Sequence, residues 1–143
     1  MSRLVVDASV AAKWYLPAVQ EPLSDEAFQL LHRFGRGEIR ILVPDVFWAE
    51  LGNLFWNAVR RGRTTRAEAT LALEAIQARE FLTVPSLRLL DRAFTLATTY
   101  DKTVYDCLYV ALAVEAKTEL VTADERLANA LAAHLPVKWL GAL

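Results

Sequence analysis

Four acidic residues, Asp7, Glu50, Asp106 and Asp124, stand beside apolar segments, where a carboxylate is costly for folding and useful for chemistry. Asp7 ends the run Leu4-Val5-Val6, and Asp124 follows Leu120-Val121-Thr122-Ala123, so each closes a predicted short strand. Glu50 and Asp106 each interrupt an apolar helical pattern. An isolated carboxylate so placed loses hydration, its pKa rises and it tends to neutralise. A group of them is tolerable when a hard divalent cation offsets the charge, and Mg²⁺ or Mn²⁺ prefers oxygen ligands of this kind. The pattern therefore reads as a metal site, with all four acids as ligands.

The elements that must position these acids alternate along the chain. Strands are predicted at Leu4 to Val6, Ile39 to Val43, Phe81 to Val84, Glu119 to Thr122 and Val137 to Leu140. Helices are predicted at Ser9 to Leu16, with Ser9 as its cap, at Pro22 to Phe34, and from Pro44-Asp45 to about Arg61, where Gly62 ends the pattern. Further helices are predicted at Thr65 to Ala78, Leu87 to Thr99, Val104 to Ala116 and Asp124 to His134, and Thr65 and Glu68 have the spacing of a capping box. Strands separated by helices imply an α/β fold whose central parallel sheet of about five short strands is flanked by helices on both faces. Ligands of such sheets bind beyond the carboxyl ends of the strands, where Asp7 and Asp124 fall.

The length of 143 residues suits one domain, taken as residues 1–143. Hydrophobic residues at 55% and charged residues at 23% are slightly apolar for a small soluble protein, which points both to a large core and to surface kept for a partner. The 16 basic and 17 acidic residues leave a net charge of −1, so no global field attracts nucleic acid and any such binding is local. A single cysteine, Cys107, excludes an intrachain disulfide and a cysteine-rich zinc site, and fits a reducing cytoplasm. The apolar run before Asp7 is too short for a signal peptide, and no run approaches the ~20 residues that cross a bilayer, so a soluble, unexported protein without membrane contact is expected.

Val5-Val6-Asp7-Ala8-Ser9, Trp48-Ala49-Glu50-Leu51-Gly52-Asn53, the run Tyr105-Asp106-Cys107-Leu108-Tyr109-Val110-Ala111-Leu112-Ala113, and Val121-Thr122-Ala123-Asp124-Glu125-Arg126-Leu127 occur in that order. Together they resemble the PIN-domain ribonucleases, most closely the VapC-type toxins of bacterial and archaeal toxin–antitoxin pairs, over Leu4 to about Leu140. The resemblance implies that Asp7, Glu50, Asp106 and Asp124 are the catalytic acids, with Ser9 and Thr122 as supporting hydroxyls. It implies Mg²⁺- or Mn²⁺-dependent endoribonuclease activity on RNA phosphodiesters, by one ion or two, and a small antitoxin as partner. The physical logic is independent of it: carboxylates alone repel an anionic phosphodiester, and bound divalent ions reverse the local charge.

Each of these acids also has a simpler reading, most of all Asp124, which can cap the helix that begins there. Cys107 reads as a small buried thiol, His32 and His134 as surface histidines, and Asp45, Asp91 and Asp101 as caps or solvated acids, with Asp101 near enough in sequence to Asp106 to approach the site. Arg60, Arg61, Arg63 and Arg66 form the one dense basic cluster, available to RNA phosphates or an acidic partner, or else to the dipole at a helix C-terminus.

The helix bearing Glu50 carries two apolar stripes. One holds Phe47, Leu51, Leu54 and Ala58, the other Trp48, Gly52, Phe55, Trp56 and Val59. A helix apolar on two sides is buried on two sides. The helix of Thr65 to Ala78 can supply the second cover, or a homodimer or antitoxin contact can, with Trp48, Phe55 and Trp56 as anchors. Trp14-Tyr15-Leu16 is a second patch of this kind. A phosphatase or phosphoacceptor receiver also places Asp after a first strand, but the former usually adds an acid where Ser9 stands, and Lys138 is poorly placed for either. A PIN-fold nuclease of RNA processing or of DNA, and a non-catalytic PIN-like binding module, are the remaining alternatives.

Overall fold

Aliphatic runs without polar alternation become the middle of a parallel sheet, because both of their faces are covered. The computed structural model describes residues 2–143, so Met1 of the expected domain lies outside the described residues. Five strands, β1 (Ser2–Val6), β2 (Ile39–Pro44), β3 (Leu82–Val84), β4 (Leu120–Thr122) and β5 (Val137–Trp139), form one sheet in the order β3-β2-β1-β4-β5. Every neighbouring pair is parallel, with Val5 opposite Leu42 on one side of β1 and Leu120 on the other. The central strand is the first in chain order among the described residues, and the order reverses beside it, which opens a crevice at the carboxyl ends of β1 and β4.

Seven helices connect and cover the sheet: α1 (Ala8–Ala12), α2 (Ser24–Gly35), α3 (Val46–Arg60), α4 (Arg66–Gln77), α5 (Ser86–Tyr100), α6 (Val104–Glu115) and α7 (Glu125–Leu131). α6 is apolar on all sides, and Cys107 through Ala113 are all buried, because α5 covers the side that the sheet does not. α3 turns Phe47, Leu51, Phe55 and Ala58 inward, against α1 and α4. Its end is a Schellman turn: Gly62 at φ 70° donates to the Val59 carbonyl and Arg63 donates to that of Ala58. Thr65 caps α4 by accepting from the Glu68 N–H at 3.1 Å, as the sequence predicts.

Several expectations about local structure are corrected. The first helix begins at Ala8 and ends at Ala12, not Leu16, and its cap is Asp7, whose side chain accepts from the Val10 N–H; Ser9 lies inside the helix. α2 begins at Ser24, because Leu23 takes a left-handed backbone at φ 63° that breaks the pattern started at Pro22. Phe55 is 2% exposed and packs its ring against Tyr15, so it belongs to the core and not to a partner surface. Trp14 and Leu16 are buried as well, with the Trp14 Nε1–H given to the Ala27 carbonyl at 2.8 Å. α4 supplies the second cover of α3 through Ala69, Ala72 and Ile76, while Leu71 faces out.

Candidate active site

The four acids arrive from four different elements. Asp7 closes β1, Glu50 lies in the second turn of α3, Asp106 in the first turn of α6, and Asp124 caps α7 just after β4. All four line one cavity of about 600 Å³ at the carboxyl edge of the sheet, together with Ser9, Asn53, Tyr105 and Tyr109. The sheet therefore brings together residues separated by up to 117 positions in the chain. Asp101 is instead the exposed left-handed cap at the end of α5 and does not line this cavity.

Two hydroxyls tie the strand ends to each other. Ser9 donates to Asp7 Oδ1 and accepts from the Ala123 N–H at 3.3 Å, joining the end of β1 to the end of β4. Thr122 is fully buried, supports the Asp7 carboxylate and accepts from the Asp124 N–H at 3.0 Å. Asp124 Oδ1 in turn accepts from the Leu127 N–H at 3.1 Å, so its capping role and its place in the cavity coexist. The Asp106 backbone N–H is given to Thr103 Oγ1 at 3.1 Å.

The electrostatics are those of acids held against their preference. Burial raises the Asp7 pKa from 3.8 to about 6, with Ser9, Thr122 and the Val10 N–H opposing and the nearby Glu50 charge reinforcing the rise. Glu50 is raised by desolvation first, opposed by the Tyr109 hydroxyl and reinforced by Asp106. Asp106 is raised by desolvation first, opposed by Thr103 and Lys102 and reinforced by Asp124. Charge repulsion thus links the acids as a row, Asp7 to Glu50 to Asp106 to Asp124. The ion pairs Lys13–Glu21, Arg63–Glu21, Arg33–Glu38 and Arg36–Glu38 lie elsewhere.

An oxygen-only donor set with surplus negative charge fits a hard divalent cation. Among the described residues, no three of these carboxylates converge as ligands of one ion as the side chains stand, since Asp7 is turned to Ser9 and Glu50 to Tyr109. A divalent ion there would take one or two of the carboxylates as they stand and complete its shell with water and substrate phosphate.

The other predicted residues separate by what they touch. Cys107 is buried and its thiol is pushed up to about 11 by desolvation, so it is an inert core thiol. His32 and His134 are exposed, His134 beyond the end of α7 with its ring near Tyr100. Asp45 accepts from the Ser86 hydroxyl, which lowers its pKa. The arginines do not act as one cluster. Arg63 is committed to Glu21 and to Gln20 Oε1 at 3.2 Å, Arg60 lies over the Trp56 ring at 4.7 Å, and Arg61 and Arg66 are exposed. Trp48 is half-buried, gives its Nε1–H to Thr83 Oγ1 at 3.1 Å and stacks on Phe81, which leaves Trp56, 55% exposed, as the open aromatic of α3.

Tyr109 is, with Tyr105 and Asn53, a cavity residue that sequence reasoning passed over. A tyrosine in an apolar helix reads as core, and its ring is core, but its hydroxyl donates to Glu50 Oε1 at 2.5 Å. The available signal was its position three residues after Asp106, on the same face of α6.

Across the chain, residues 4–131 match the family model of the PIN domain. The chain belongs to the PIN domain family. It is 35% identical over 131 residues to Ribonuclease VapC3 of Pyrobaculum aerophilum, an alignment covering 89% of this chain and 93% of that protein. Among solved structures it resembles PAE2754 of the same organism, with a TM-score of 0.70 at 22% identity over 99% of this chain and 85% of the other. It also resembles Mycobacterium tuberculosis VapC20, a sarcin-ricin loop cleaving toxin, with a TM-score of 0.66 at 12% identity over 92% and 95% of the two chains. A toxin–antitoxin complex from Klebsiella pneumoniae contains a third such chain, with a TM-score of 0.60 at 16% identity over 94% and 95%. The parallel five-stranded sheet is the PIN fold expected from the sequence. No helix among the described residues is long and apolar enough to cross a membrane.

Proposed function

We propose that this PIN-domain protein is an endoribonuclease of the VapC type, the toxin of a toxin–antitoxin pair, acting in the cytoplasm on RNA with Mg²⁺ or Mn²⁺ held by Asp7, Glu50, Asp106 and Asp124. The observation that carries the reading is the meeting of four carboxylates from four elements in one cavity, with raised pKa values at three of them. A fold without chemistry has no reason to keep that repulsion. A divalent ion bound there supplies charge neutralisation and activation of water for in-line attack on a phosphodiester. Asp7 is the rigid member, because the Val10 N–H and the Ser9 and Thr122 hydroxyls fix its orientation at the end of the central strand. Asp106 and Asp124 stand at the rim, where a phosphate can approach, since Asp124 is exposed and Asp106 half-buried. Trp56 with Arg60 above it is the surface we assign to a partner, a second copy or a small antitoxin, because an exposed aromatic under a cation is the composition of interface anchors.

Purified protein incubated with structured RNA, with single-stranded DNA in a parallel arm, is expected to cleave RNA with Mg²⁺ or Mn²⁺ and to stop in EDTA. Asp106→Asn, at a half-buried position that leaves the core intact, is expected to lower the rate at least about 100-fold. Cleavage of DNA alone would move the protein to the DNA-processing reading. Activity untouched by Asp106→Asn and EDTA would show contamination and leave a binding module.

Tyr105 is 63% exposed beside Asp106 and lines the cavity, the place of a stacking platform for an unpaired base. Stacking contributes about 1–3 kcal/mol per base. Tyr105→Ala is expected to raise KM for RNA about tenfold with kcat near wild type, whereas Tyr105→Phe keeps both. Steady-state cleavage of a short oligonucleotide measures the difference.

A further inference from the structure

Tyr109 is 3% exposed in the middle of α6, yet its hydroxyl emerges from the core into the acidic cavity. It donates to Glu50 Oε1 at 2.5 Å, and the backbone N–H of Ala8 interacts with the same phenolic oxygen. One oxygen thereby joins α6, α3 and the first residue of α1, next to Asp7. Among the described residues the Glu50 carboxylate has no hydrogen-bond or ion-pair partner besides Tyr109, and it hangs from a flexible side chain between two like charges, Asp7 and Asp106. Left to itself, that carboxylate would swing away from both neighbours.

We propose that Tyr109 is a positioning residue which holds Glu50 toward Asp7 and Asp106 and occupies Oε1, so that Glu50 presents the single oxygen Oε2 to the divalent cation; this rests on the metal-dependent nuclease reading. The tyrosine hydroxyl does for a carboxylate what the outer hydrogen-bond partner of a metal-binding histidine does for an imidazole: it selects the ligating atom and its direction. A core role for the ring alone is met equally by phenylalanine, which makes the hydroxyl the testable part.

The test is a cycle of Tyr109→Phe, Glu50→Gln and the double variant, read by Mn²⁺ titration of the protein without RNA, by cleavage kinetics, and by thermal unfolding without metal. Tyr109→Phe is expected to weaken Mn²⁺ binding about 10- to 100-fold. It is expected to lower kcat while leaving KM for RNA unchanged, with unfolding as cooperative as wild type. In the Glu50→Gln background the same substitution is expected to change Mn²⁺ affinity no further, because the group it positions is gone. Unchanged Mn²⁺ affinity in Tyr109→Phe, or an equal loss in both backgrounds, overturns the positioning role while wild-type cleavage stands. Wild-type protein that neither binds Mn²⁺ nor cleaves RNA overturns the nuclease reading with it, so the two failures are distinct.

Discussion

Asp7→Asn is expected to abolish cleavage and, in the same molecule, to raise the thermal stability of the metal-free protein at pH 7. The loss of activity follows from removing the charge of the best-fixed acid, a change of about a thousandfold or more where a cation depends on it. The gain in stability follows from burial. Asp7 is 9% exposed and its pKa is raised to about 6 from 3.8, so the folded state binds its proton more tightly than the unfolded chain does. Stability from this group is fully present below pH 3.8 and is lost as the pH rises through about 6. At 1.36 kcal/mol for each tenfold in the protonation equilibrium, the loss is about 3 kcal/mol. Asparagine keeps an acceptor for Val10 and Ser9 without the charge, so Tm at pH 7 should rise by several degrees. Thermal melts from pH 4 to 8 check it: wild type should lose stability across that window and Asp7→Asn should not lose that part. Mn²⁺ should reverse the order, stabilising wild type by mass action and leaving the variant unmoved. An Asp7→Asn protein less stable than wild type at pH 7 without metal would show that the carboxylate is a structural cap.

The second large effect lies away from the acids. Glu21 is the shared partner of two cations, Lys13 at 3.3 Å and Arg63, and only 7% of the Lys13 side chain and 12% of the Glu21 side chain are exposed. This buried triad pins the 3-10 turn at Ala18–Gln20 to the end of α1 and to the turn between α3 and α4. Glu21→Ala leaves a buried lysine and a half-buried arginine uncompensated, and removing one partner of such a pair costs about 3–5 kcal/mol. The expected result is a Tm about 10 °C or more below wild type. Lys13→Met combined with Glu21→Leu should recover part of that loss, because no unpaired charge remains at Lys13. A melt of Glu21→Ala within about 1 °C of wild type would show that the triad is solvated enough to be dispensable.

How much of this was visible in the sequence differs from residue to residue. Strands β1, β2 and β4 were legible because a strand covered on both faces is a plain aliphatic run, and the four acids were legible because each interrupts or ends such a run. The end of the first helix was not, since Val10, Ala11 and Ala12 continue as Trp14 and Leu16, which are equally buried but sit in turns. Phe55 looked like an anchor because a two-sided apolar helix does not say which side its own chain covers, and the chain's own Tyr15 packs on it. Arg63 looked like a phosphate clamp for the same kind of reason: its partner, Glu21, is 42 residues away and announces itself by no local pattern. The Tyr109 hydroxyl failed to show because its target lies 59 residues earlier, on another helix.

The placement of β1 between β2 and β4 has a consequence for how the protein is made. The segment carrying Asp7 and Glu50 is made before β4, yet one flank of β1 stays unpaired until Leu120 and Val121 arrive to join Val5 and Val6. Asp124 follows only three residues later. A nascent chain therefore has no complete acidic cavity until the segment of β4 and Asp124 has joined β1, and contacts of such long sequence separation form late. The RNA cleavage proposed above is in this way withheld from the growing chain until β4 docks beside β1, because Asp124 reaches the cavity only with it.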